Sequence, residues 1–203
     1  VTNNQSQGAA GVGLAGTATM ENCYIARNTR VGDYTYGGVD GIVELSSANA
    51  TLRNCTIVDN SLNGSGALAC KASAKVYNNI IWNNLDKDQT ANLYFANSPS
   101  TANWLANCTT PTNGLAGAGN VESDPLLKDD HIQNGSSCKW TANPDVAPAY
   151  DIEGTERGAT PSIGAFEYVD TGDIGVDVEA TATFVRQPGT ITLTASPIGP
   201  VTY

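Results

Sequence analysis

Thr51-Leu52-Arg53-Asn54-Cys55-Thr56-Ile57-Val58-Asp59-Asn60 recurs on both sides of itself with the same residue types at the same places. Upstream it reads Thr19-Met20-Glu21-Asn22-Cys23-Tyr24-Ile25-Ala26-Arg27-Asn28, and downstream Lys75-Val76-Tyr77-Asn78-Asn79-Ile80-Ile81-Trp82-Asn83-Asn84. A degraded copy stands at Asn103-Trp104-Leu105-Ala106-Asn107-Cys108-Thr109-Thr110. The aligned asparagines Asn22, Asn54, Asn78 and Asn107 are 32, 24 and 29 residues apart. That spacing belongs to a stacked array rather than to an ordinary globular core.

Within each copy the apolar residues alternate, as in Ala50 and Leu52, slip by one at the asparagine, and alternate again, as in Cys55 and Ile57. A period of two is that of a strand. The slip marks a bend, and asparagine is the non-glycine residue that most readily takes the left-handed conformation of a tight corner. Before each pair lies a further apolar couple, Val12 and Leu14, Val43 and Leu45, Leu68 and Cys70, introduced by Gly11, Gly41 or Gly66. Three strands and three turns make one coil. A coil cannot bury its inner face alone, whereas stacking pairs each backbone edge with the next coil at roughly 4.8 Å. The expected fold is all-β, a right-handed parallel β-helix. An antiparallel sandwich is the competing architecture.

Its expected inner columns are Met20, Leu52, Val76 and Leu105; Ile25, Ile57 and Ile81; and Ala18, Ala50 and Ala74. Asn22, Asn54, Asn78 and Asn107 are expected to form a coil-to-coil amide ladder, each bond worth about 1 kcal/mol net. Burying each Ile or Leu contributes roughly 1.5–3 kcal/mol, so the apolar columns dominate stability and the ladder sets the register.

Charged residues are only 15% of the chain and the net charge is −10. Phosphate binding needs clustered Lys and Arg, so nucleic acid is excluded as a partner, and polyanionic polysaccharides are disfavoured on the same ground. No transmembrane run is present, so no membrane insertion is expected. Val1-Thr2-Asn3-Asn4 reads as the tail of a preceding coil, so upstream coils are expected. Cys23, Cys55 and Cys108 take the same place in their coils and Cys70 an inward strand position, which suits small buried apolar residues. In-register parallel side chains do not suit a disulfide, which leaves Cys108 with Cys138 as the one pairing open.

Residues 29–40 enlarge the corner between the first two coils, and projecting loops are where solenoids place binding residues. Tyr24, Thr56, Val58, Ile80 and Trp82 form an outward column. Trp82 with the loop residues Tyr34 and Tyr36, and Tyr24 nearby, therefore makes an aromatic platform for a glycan or a protein, or else a packing surface.

The last third carries Gly119-Asn120-Val121-Glu122-Ser123-Asp124-Pro125-Leu126-Leu127, then Asp151-Ile152-Glu153-Gly154-Thr155-Glu156-Arg157-Gly158 and Pro161-Ser162-Ile163-Gly164-Ala165-Phe166-Glu167-Tyr168. In these motifs the chain resembles secreted or surface bacterial proteins of the pectate-lyase-like right-handed β-helix superfamily. Members close with a GN-I-x-x-DP-L-F segment, a D-x-D/E-G-x-x-R and an IGA-x-E-Y signature. The chain departs at Ser136-Ser137-Cys138-Lys139-Trp140, where members read Ser-Pro-Cys-Ile-Asp. The resemblance implies an extracellular or cell-surface protein with its β-helix and closing segment in residues 1–169. Residues 170–203 read as a linker and the first strands of a truncated immunoglobulin-like module, too few to build a sandwich.

The superfamily's lyases and hydrolases place acids, calcium and a basic residue on the outer face of one parallel sheet. Here the first-strand face offers Gly11, Gly13, Ala15, Glu44, Ala67, Ala69 and Lys71, without the two neighbouring carboxylates a hydrolase needs. His131 has no identifiable orienting partner and reads as a surface residue. Asp151, Glu153, Arg157 and Glu167 are read as a salt-bridge set that anchors the tail over the open end of the stack. No catalytic or metal-ligating residue is assigned. Calcium is the one cofactor left open, but Asp86 with Asp88, or Asp129 with Asp130, supply too few of the roughly six to eight oxygens it takes. The expectation is a non-catalytic surface or adhesion module that binds polysaccharide or a surface protein. The alternatives are a polysaccharide lyase or glycoside hydrolase with catalytic coils upstream, and a stalk without a ligand.

Overall fold

The structure, a computed structural model, describes residues 1–6, 11–30, 41–64 and 66–170. Val1–Tyr168 forms one compact unit. The expected immunoglobulin-like strands, and the loop tyrosines Tyr34 and Tyr36, lie outside the described residues.

Four parallel ladders run through the unit. The first stacks Val12–Leu14, Val43–Leu45, Leu68–Cys70 and Leu93–Phe95; the second Thr19–Glu21, Thr51–Arg53, Lys75–Tyr77 and Trp104–Leu105; the third Tyr24–Ala26, Thr56–Val58, Ile80–Trp82 and Cys108–Thr109. Each coil thus contributes one strand to each ladder, which is the right-handed parallel β-helix, the hand favoured by a twisted strand returning to its own sheet. A fourth ladder, of two-residue strands, was not expected: Gln5–Ser6, Thr29–Arg30, Ser61–Leu62 and Leu85–Asp86, ending on the antiparallel Gln89–Thr90. Among the described residues the only helical turn is Pro144–Val146.

The inner columns form with one correction. Met20, Leu52 and Val76 align with Trp104, not with Leu105. Trp104 is completely buried, and Phe95 packs on it with ring centroids 5.3 Å apart. Beneath it residues 115–120 close the stack: Leu115 packs on the same core, Asn120 Nδ2 donates to Trp104 O at 2.8 Å, and a Cβ at Gly117 would stand 1.9 Å from that oxygen. Ile25, Ile57 and Ile81 align with Thr109, and Ala50 and Ala74 are fully buried, while Ala18 in the first coil is exposed.

The asparagines also need correction. Asn22, Asn54 and Asn78 do take the left-handed corner, with φ of 49°, 47° and 56°. Asn107 does not belong with them: Ala106 holds that corner, and Asn107 sits under Asn79. The continuous interior ladders are others. Asn79 donates its Nδ2 to Asn107 Oδ1 at 2.9 Å, and Asn107 to Asn120 at 3.0 Å. Asn4, Asn28, Asn60, Asn84 and Asn92 form a second run, each amide bonded to the next at 2.8–3.0 Å. The same shift places Cys108 beneath Ile80, outside the Cys23 and Cys55 column.

The largest departure concerns the tail. It was expected over the open end, but after Val121, which still stacks beneath Cys108, the chain through residue 168 lies along the side of the coils, over the outward face of the third ladder. Ala26, Val58, Ile80 and Cys108 from that ladder and Ile132, Cys138, Ala142 and Ile163 from the tail form a second hydrophobic cluster outside the lumen. Gly164 permits the close approach: a Cβ there would stand 2.7 Å from Ile80 Cδ1 and 2.9 Å from Thr56 Oγ1, and its φ is +102°.

Candidate functional site

The same strap of tail leaves one edge of the third ladder open. Val58 and Trp82 are paired in register at the ends of their strands, and each is followed by a corner residue with positive φ, Asp59 at 55° and Asn83 at 51°. These corners turn Asp59 and Asn83 outward, where Asn83 Nδ2 donates to Asp59 Oδ1 at 2.6 Å. Asp124, Pro125 and Leu127 of the closing segment form the facing wall. Asp124 is pinned by accepting from the Leu126 backbone N–H at 2.8 Å. Together they enclose a cleft of about 330 Å³ lined by Val58, Asp59, Trp82, Asn83, Asp124, Pro125 and Leu127. Its wall therefore combines a half-buried indole face with two carboxylates and an amide, and no basic side chain.

Of the expected aromatic platform, Trp82 lines this cleft and Tyr24 does not. Tyr24 belongs to the other outward row, with Thr56, Ile80 and Cys108. Its hydroxyl donates to Asp130 Oδ1 and accepts from Arg27 Nη1 at 3.0 Å, while its ring meets Phe166 edge-on at 5.5 Å. Burial and the Asp130 carboxylate push the phenol well above its ordinary range. Arg27 also bonds Asp130 at 3.0 Å, which holds that carboxyl below its ordinary value. Tyr24 is thus an anchor for the tail.

The charged set at the tail is a knot. Arg157 Nη1 donates to Glu167 Oε2 at 2.9 Å and to Ser162 O; Nη2 donates to Gly164 O at 2.8 Å, Ala165 O and Asn22 Oδ1. Burial lowers the guanidinium's proton affinity, opposed by Glu167. Asp151 accepts from the N–H groups of Glu153, Thr155 and Glu167, each at 2.8 Å. Glu153 stands apart, exposed, and faces His131 Nε2 at 3.2 Å. His131 also stacks on Phe166, with centroids 4.3 Å apart. The corner asparagines bind the same strap: Asn54 Nδ2 donates to Ser162 O at 3.4 Å, Asn78 Nδ2 to Asn143 O at 2.9 Å, and Asn22 Nδ2 to Tyr150 O at 2.6 Å. Only one coil-to-coil amide bond joins them, from Asn78 Nδ2 to Asn54 Oδ1 at 3.1 Å.

On the first-ladder face Glu44 pairs with Lys71 at 3.0 Å. Asp59, Asn83 and Asp124 were not singled out from the sequence. The signal that could have found the first two is the recurring polar residue one place after the outward row, Arg27, Asp59 and Asn83. No protein-family model, curated protein or solved structure matches this chain.

Proposed function

We propose that the coil array is a non-catalytic binding module of an extracellular or cell-surface protein, and that it takes a neutral glycan at the Trp82 cleft. The observation that carries the reading is the composition of the cleft: an indole face flanked by Asp59, Asn83 and Asp124. A sugar ring presents apolar C–H faces to an aromatic plane and equatorial hydroxyls to acceptors, and acceptor carboxylates and an amide suit those hydroxyls. The volume lies at the lower end of ligand-sized cavities, which fits one or two rings. Carboxylates without a cation oppose a uronate or sulfated chain. The closing motifs in residues 119–127 and 151–168, with their likeness to secreted β-helix proteins, support the surface location.

The test is retention and product formation together, on a panel of neutral and acidic polysaccharides, with calcium or chelator. Retention of a neutral polymer without turnover, weakened roughly tenfold or more by Trp82→Ala, is the expected outcome, since a stacked aromatic dominates such a site. New reducing ends or unsaturated products lost with chelator would replace this reading by the lyase or hydrolase one. Neither retention nor products would leave a stalk.

A further inference from the structure

The described chain holds its five cysteines as free thiols, and Cys108 and Cys138 are both completely buried in one hydrophobic cluster. Cys108 is an outward residue of the third ladder, and Cys138 belongs to the strap that lies over it. Their side chains therefore enter one cluster from opposite sides of an interface, a placement from which a disulfide can form. Cys23 and Cys55 are also neighbours, but as in-register residues of adjacent parallel coils their side chains point the same way. The surroundings brace the first pair. Cys108 Sγ donates to Ser123 O at 3.2 Å, Ser123 Oγ bonds Ser137 Oγ at 2.6 Å, and Ser136 Oγ donates to Pro125 O at 2.6 Å. Ile163 N–H holds the Cys138 carbonyl at 2.9 Å.

We infer that Cys108 and Cys138 are a cross-linking site, oxidised by a small-molecule disulfide such as oxidised glutathione to a bond that fastens the closing segment to the coils. One thiolate attacks the glutathione disulfide, releasing a glutathione thiol and leaving a mixed disulfide. The second thiolate attacks the protein sulfur of that intermediate and displaces the other glutathione. Two S–H bonds are lost and one S–S bond forms, and the two electrons and two protons end on two glutathione thiols. In the folded state the Cys138 thiol and burial both raise the Cys108 pKa, so exchange proceeds during folding or when the strap opens. The loop closed between residues 108 and 138 contains Asp124, Pro125 and Leu127, so the bond fixes one wall of the Trp82 cleft.

The experiment equilibrates the full chain with oxidised and reduced glutathione at neutral pH, quenches with acid, alkylates in denaturant, and maps peptides without reduction. The expected product is a Cys108–Cys138 linked peptide two hydrogen atoms lighter than its parts, with Cys23, Cys55 and Cys70 recovered alkylated. Its Tm stands several degrees above that of the reduced chain, about 5–10 °C for a loop of this length, and returns on reduction. Cys55→Ala keeps the linked peptide and the shift; Cys138→Ala loses both. Five alkylated cysteines after oxidation, or a Cys23–Cys55 link in place of the expected one, overturns the inference. The wild-type peptide map decides this even if Cys138→Ala does not fold.

Discussion

At the scale of single residues, the interior amides show how a buried polar group is tolerated. Asn60 has no exposure to speak of, yet its Oδ1 accepts from Asn28 N and Nδ2 at 3.0 Å, and its Nδ2 donates to Asn84 Oδ1, Ile25 O and Val58 O. Asn60→Ala removes one side chain but strands donors and acceptors on both neighbouring coils. Each unsatisfied group costs about 1–3 kcal/mol, so a loss of roughly 3 kcal/mol or more is expected in urea unfolding. His131, the single histidine of the chain, offers a second check. Burial opposes its cation, but the Asp129 carbonyl and Glu153 outweigh that and raise its pKa. A group raised in the folded state contributes stability fully present below its unfolded value of about 6.5 and lost as pH rises through the folded value. The histidine and Glu153 are 42% and 56% exposed, so the contribution is under about 1 kcal/mol. The imidazole resonance should therefore titrate above 6.5, and Glu153→Gln should move its midpoint down; an unchanged midpoint would show that Glu153 is not the partner.

At the scale of elements, the closing strap converts an exposed sheet face into a second core. Thr56 Oγ1 accepts from Ala165 N at 2.9 Å, and Gly164 N donates to Asn78 O at 2.9 Å, so the strap reads the third ladder and its corner column at once. Arg157 is the centre of this contact, reaching from the strap to Asn22 of the first coil. Removing one partner of a buried ion pair leaves the other charge without compensation, at about 3–5 kcal/mol. Arg157→Met should lower stability by that amount, and hydrogen exchange should show the loss of protection concentrated in residues 121–168 and the third ladder. Glu167→Gln on the Arg157→Met background should recover part of it, since the uncompensated carboxylate is then gone. Equal loss of protection through the first ladder would mean that the strap does not act as a separate element.

At the scale of the whole molecule, a net charge of −10 surrounds a cleft whose wall carries two carboxylates and no cation. Retention of a neutral glycan should change little between low and high salt, because no ion pair is screened. A sulfated or uronate-rich polymer should be retained less than its neutral counterpart at low salt, with the difference shrinking as salt rises. Strong retention of the anionic polymer that weakens with salt would point to a basic surface elsewhere.

The coil was legible because its information is local. The alternation around Leu52 and Ile57, the asparagine slip at Asn54, and the repeat of all three at Met20 and Val76 each specify strand, corner and inward face within a few residues, and parallel stacking is the arrangement that buries all of them together. The sequence by itself therefore determined a stacked parallel β-helix and most of its apolar columns. It misaligned the fourth coil, because the Asn-Cys pair at 107–108 imitates that at 54–55, and only the stack shows that a buried amide at Asn79 needs Asn107 as its partner. It also left open whether the outward face that carries Tyr24, Ile80 and Trp82 meets solvent. The tertiary structure alone decided that, through contacts such as Asn54 to Ser162 and Thr56 to Ala165, more than a hundred residues apart along the chain. The cleft exists only because the closing segment comes to lie beside Val58 and Trp82: its two walls, Asp59 with Asn83 and Asp124 with Pro125, come from segments whose meeting no local pattern encodes.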